Sequence, residues 1–171
     1  MKDRIQALIK NKTGKAIDLN DNIYAEISNF VILWSMFENE LYGSDYPTAR
    51  NQSQESHPLI ALNISDDVID TVYDYLCKRY HNHQSHIEGL GFRNNKIDVG
   101  EKQKLEELMN QKPVSKSDKI QCILIVIYRY RCTLFHGKKE ITQENHKVDN
   151  FRNANTFLIE CLEQALSHKK R

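Results

Sequence analysis

The sequence predicts an all-α protein, an up-and-down bundle of four main helices with one or two minor ones, in a single domain over residues 1–171. Three observations lead there. Apolar residues recur at three- and four-residue steps along several long segments. Six glycines and three prolines are too few for a sandwich of many tight turns. No segment alternates apolar and polar residues as a half-buried strand does.

The first long helix starts where Asn20 and Asp21 can cap it and runs to about Tyr42, ended by Gly43. Ile23, Ile27, Phe30, Leu33, Trp34, Phe37 and Leu41 form its apolar face. Residues 43–62 are polar, hold Pro47 and Pro58, and read as a loop long enough to be functional or mobile. Ser65, followed by Asp66 and Asp67, opens a second helix through Val68, Ile69, Val72, Tyr73, Leu76 and Tyr80. Residues 81–100 are mixed, with a short helical turn expected near 86–90, and a minor amphipathic helix covers about 101–110 through Leu105, Leu108 and Met109. Pro113 breaks the chain. Ser115 and Ser117 open a third main helix to about Phe135, apolar on nearly every side over residues 120–130, as a helix at a bundle's centre must be. The fourth occupies about 145–168, with Val148, Phe151, Ala154, Phe157, Leu158, Cys161, Leu162 and Ala165 on one side.

Composition narrows the function. Of the 171 residues, 24 are Lys or Arg and 23 are Asp or Glu, a formal net charge of +1. No global field draws a polyanion in, so nucleic-acid binding requires a local basic cluster. Apolar runs are too short to span a bilayer, and residues 1–10 lack the apolar core of a secretory signal. Cys77, Cys122, Cys132 and Cys161 are scattered without a paired motif, which suits reduced, mostly buried thiols in a cytoplasmic protein. His81, His83 and His86 lack the accompanying cysteines or carboxylates of a known metal site and read as loop histidines, so neither metal nor cofactor is expected.

The stretch Ile127-Tyr128-Arg129-Tyr130-Arg131-Cys132-Thr133-Leu134-Phe135-His136-Gly137-Lys138 carries the chemistry. Arg131 lies near the end of a core helix and His136 follows at its exit. On a continuous helix five steps leave the two about 140° apart, so His136 approaches Arg131 only if the helix frays at Gly137. A guanidinium holds two phosphate oxygens at once, and an imidazole moves a proton near neutral pH. RNA brings its own nucleophile, the 2′-hydroxyl, so no metal is needed. Lys138 and Lys139, with Arg129, provide local positive charge for the RNA backbone. Tyr128 and Tyr130 can stack on bases but more often serve as core or interface aromatics on such a helix.

Arg131-x4-His136 within Leu134-Phe135-His136-Gly137-Lys138, together with the Trp34-Ser35-Met36-Phe37-Glu38 region of the first long helix, resembles the HEPN superfamily signature. The resemblance implies a homodimer with the two arginine–histidine motifs facing across a cleft. It also implies metal-independent endoribonuclease activity leaving a 2′,3′-cyclic phosphate, in phage defence or a toxin system with an antitoxin or regulatory partner. Arg131 and His136 would be catalytic. From its place on the first long helix, Glu38 is either a group that reaches across to orient Arg131 or a surface glutamate on the polar face. Two positions depart from the family: Cys132 stands where asparagine is common, and Lys138 where the toxin branch paired with a nucleotidyltransferase has tyrosine. The alternative is a non-catalytic HEPN module binding RNA, a nucleotide or a protein.

Overall fold

The structure is a computed structural model that describes residues 2–13, 21–44, 46, 58–110, 112, 114–136 and 148–169. Among the described residues there are seven α-helices, one short 3-10 turn (Pro58–Ala61) and no strand. The helices are α1 (Lys2–Thr13), α2 (Asp21–Tyr42), α3 (Asp66–Tyr80), α4 (Gln84–Glu88), α5 (Lys96–Asn110), α6 (Lys116–His136) and α7 (Val148–Lys169). An all-α helical bundle is what the apolar periodicity requires.

The directions of the four main helices follow from who meets whom. Asp66 pairs with Lys116 and Asp70 with Lys119, each at 2.7 Å, and Tyr80 meets Tyr130, so α3 and α6 run the same way. Ser65 meets Glu160 and Tyr75 meets Asn150, so α7 runs opposite to α3. Ile23 packs near Val148, and Glu26 binds Arg152 and Asn155, which sets α2 alongside α7. Two helices therefore point up and two down, and α4 and α5 return the chain so that α6 can repeat the direction of α3. Residues 122–130 of α6 are buried on every side, which places α6 at the centre.

Helix ends show how local chemistry sets the boundaries. At Gly43 (φ 56°) and Ser44 (φ 67°) the chain turns left-handed, glycine's natural role, and α2 stops. Ser65 does not cap α3 with its hydroxyl; its backbone N–H instead donates to Glu160 Oε1 at 3.1 Å. For α6, Ser115 Oγ accepts the Asp118 N–H at 3.1 Å while Asp118 Oδ2 lies 3.4 Å from the Ser115 N–H, a reciprocal cap. Helix α5 starts five residues before the expected 101 because Asn95 Oδ1 accepts the Asp98 N–H at 2.9 Å. Helix α1 was not foreseen; its Ile5 packs against Ile23. The expected onset of the last helix near Asn145, Pro113, and residues 47–57 of the long loop lie outside the described residues.

The described parts of that loop are anchored in the core. Tyr46 is 2% exposed and meets the rings of Tyr42, Trp34 and Tyr128 at 4.9, 5.2 and 5.2 Å. Leu59 is fully buried. No described helix is long and apolar enough to cross a membrane.

Candidate active site

One end of the bundle gathers the start of α2, the ends of α3 and α6 and the start of α7. Tyr130 anchors it. Its hydroxyl shares a 3.0 Å hydrogen bond with that of Tyr80, and its ring lies 5.8 Å from Phe151. Burial pushes both hydroxyls above the usual tyrosine range, so they stay neutral. Tyr75 Oη donates to Asn150 Oδ1 at 2.7 Å, tying α3 to the first turn of α7. Tyr128 and Tyr130 are both buried in the core and offer no face to a base.

Arg131 follows Tyr130 by about 100° round the axis. It points between the direction of Tyr130, toward α3 and Phe151, and that of Tyr128, toward Trp34. The side chain is half-buried and its Nε is sealed from solvent. A guanidinium in that position is held by the protein around its stem rather than waving in water. Cys132 is half-buried beside it, and Thr133 Oγ1 donates to the Tyr130 carbonyl at 2.9 Å.

The backbone of α6 stays helical through His136. Positions 131 and 136 therefore keep their separation of about 140° round the axis, and the helix has not frayed before His136. The His136 side chain, and Gly137, Lys138 and Lys139 altogether, lie outside the described residues.

Two expectations are corrected. Arg129 is not an RNA-facing cation. It is 3% exposed, and its guanidinium lies 3.2 Å from Asp98 and 3.8 Å from Glu101. It also donates to the carbonyls of Leu90 at 3.3 Å and Gly91 at 2.6 Å, under the ring of Phe92 at 4.7 Å. Two carboxylates and two carbonyls surround a guanidinium that is closed off from solvent, so no phosphate can reach it. Glu38 does not orient Arg131 within the chain. Its carboxylate accepts the indole N–H of Trp34 at 3.2 Å, one turn back on the same helix. Phe30 and Tyr130 both touch Phe151, whereas Trp34 touches Tyr128, so α2 and α6 run in opposite directions. Moving from Trp34 to Glu38 and from Tyr128 to Arg131 then separates the two by roughly 10 Å along the axis.

The sequence reading missed Arg79, a half-buried cation in the last turn of α3 at the same end. The available signal was its four-residue spacing from Tyr75, which places both on the side of α3 that meets α7. The histidines of the 81–86 turn serve local bonds: His81 Nε2 meets Asn110 Oδ1 at 2.9 Å, and His86 Nδ1 meets the Arg79 carbonyl at 2.8 Å. Among the described residues no three His, Cys, Asp or Glu side chains converge as metal ligands.

Compared with protein-family models, curated proteins and solved structures, the chain matches none of them.

Proposed function

We propose that this protein is a metal-independent endoribonuclease of the HEPN type, acting as a homodimer. The observation that carries the reading is Arg131, half-buried with a sealed Nε at the end of the central helix, five residues before the histidine that ends the same helix. In the reaction, the RNA 2′-oxygen attacks the adjacent phosphorus and the bond to the 5′-oxygen breaks. The products are a 2′,3′-cyclic phosphate and a 5′-hydroxyl. Arg131 holds the non-bridging oxygens as negative charge accumulates on them. His136 moves a proton, from the 2′-hydroxyl or to the leaving oxygen, a contribution of about 10²–10⁴-fold. Because positions 131 and 136 diverge on a helix, the motif is completed across a twofold interface, guanidinium from one protomer and imidazole from its partner.

Purified protein should cut single-stranded RNA in excess EDTA, and His136→Ala should retain the helical circular dichroism while losing at least about 10²-fold of the rate. Undiminished cutting by that variant sinks the assignment. The same angular divergence favours a second reading, a non-catalytic RNA-binding module. Under that reading Arg131→Ala weakens RNA binding while wild-type protein yields no cyclic-phosphate product.

A further inference from the structure

Arg79 is a half-buried cation for which the reading so far has no use. A basic residue in the last turn of a helix ordinarily faces the negative end of the dipole from the surface. Arg79 instead lies over the Tyr80 ring, 5.7 Å from its centroid, with Nε shielded from solvent and unbonded, and its polar neighbours are the neutral hydroxyls of Tyr80 and Tyr75. No carboxylate among the described residues pairs with it. Asp149, which begins α7 at this end, is bonded to Arg152 at 2.6 Å. The backbone of Arg79 is fixed as well, since its carbonyl accepts from His86 Nδ1 at 2.8 Å. A guanidinium partly withdrawn from water with no counter-charge is costly to hold, and a bound oxyanion supplies the missing charge.

Its position says which oxyanion. Helices α3 and α6 are parallel and locked at their ends by the Tyr80–Tyr130 bond of 3.0 Å. Arg79 precedes one member of that pair and Arg131 follows the other, so both lie at this end of the bundle. We propose that Arg79 is a second phosphate-binding residue of this site, holding the phosphodiester next to the one engaged by Arg131. The assignment rests on the ribonuclease reading for the identity of its ligand.

The test measures binding of a single-stranded oligoribonucleotide to full-length protein in a His136→Ala background, as a function of salt. Each phosphate contact contributes about 0.7 to the slope of log K against log salt for a single strand. Arg79→Gln should lower the slope by about 0.7, and Arg79→Lys should restore most of it. A residue of merely structural use would lower affinity at every salt concentration without changing the slope. An unchanged slope in a folded Arg79→Gln protein overturns the proposal. Should that variant not fold, phenylglyoxal labelling of wild-type protein decides: the oligonucleotide must shield Arg79, and equal labelling with and without it overturns the proposal. RNA binding with the expected slope but no cleavage removes the catalytic reading and leaves Arg79 in place. Cleavage with Arg79 unshielded removes Arg79 alone. Wild-type protein that neither binds nor cuts removes both.

Discussion

Arg129 illustrates how a single residue can be misassigned by its neighbours. Flanked by Tyr128 and Tyr130 and two positions from Arg131, it reads as one more cation in a basic stretch. In the fold it enters a closed cluster whose other members, Asp98 and Glu101, are about thirty residues earlier in a segment of mixed pattern. Asp98 is itself only 4% exposed and also accepts the Arg93 N–H at 2.9 Å. Arg129→Met should therefore strand a buried carboxylate and destabilise the protein by about 3–5 kcal/mol in urea unfolding. Adding Asp98→Asn should recover part of that loss, because the stranded charge is gone. A change within about 0.5 kcal/mol, the size of an ordinary surface substitution, would contradict the role assigned here. Arg131 and His136 stand out as candidates in the sequence because side-chain type and spacing alone single them out. The partners of Arg129 and Glu38 were not, since contacts between distant segments leave no local pattern in the chain. Arg79 was hidden for another reason: a basic residue at a helix end has an ordinary explanation that conceals an unusual environment.

Among the elements, the four main helices were readable from their apolar faces, and α6 most clearly because it is apolar all round. What escaped was decided by single side chains. Asn95 extends α5 backward by a turn, and Tyr46 draws a polar loop into an aromatic cluster with Trp34 and Tyr128. The two serines that open helices make the point testable. Ser115 caps α6 with its hydroxyl, which also bonds Asp118 Oδ2 at 2.7 Å, whereas the Ser65 side chain makes no cap bond to α3. Ser115→Ala should cost about 1 kcal/mol and lower the thermal midpoint by about 2–4 °C. Ser65→Ala should stay within about 0.5 kcal/mol, because its backbone N–H, which the substitution keeps, makes the contact with Glu160. Equal losses for the two would mean that the cap geometry does not govern the onset of α6.

The whole molecule is joined by tyrosines that ionise only when it opens. Burial pushes the hydroxyls of Tyr42, Tyr73 and Tyr130 well above the ordinary value, raises that of Tyr80, and takes that of Tyr75 up to about 12. These five belong to α2, α3 and α6, and Tyr75 and Tyr80 reach across to α7 and α6 through hydrogen bonds. In an unfolded chain each would ionise at about pH 10. Because the folded value is the higher one, the folded state keeps protons that the unfolded state releases. The tyrosine contribution to stability is therefore complete below about pH 10 and falls as pH rises from there through the folded values. Burial also raises the thiols of Cys77, Cys122 and Cys161, so the decline starts somewhat earlier, near about pH 8.5–9. Tyr130, fully enclosed and raised well above its ordinary value, contributes strongly; Tyr75 is closer to solvent and contributes less. An alkaline titration followed by phenolate absorbance and helical circular dichroism should show these five ionising in one cooperative step, above about pH 10, together with loss of helix. Replacing Tyr80 and Tyr130 together by phenylalanine should move that step to higher pH, since two of the groups that favour the unfolded state in alkali are removed. If all eight tyrosines of the chain titrate together near about pH 10 while the helical signal persists, the bundle does not close around them as described.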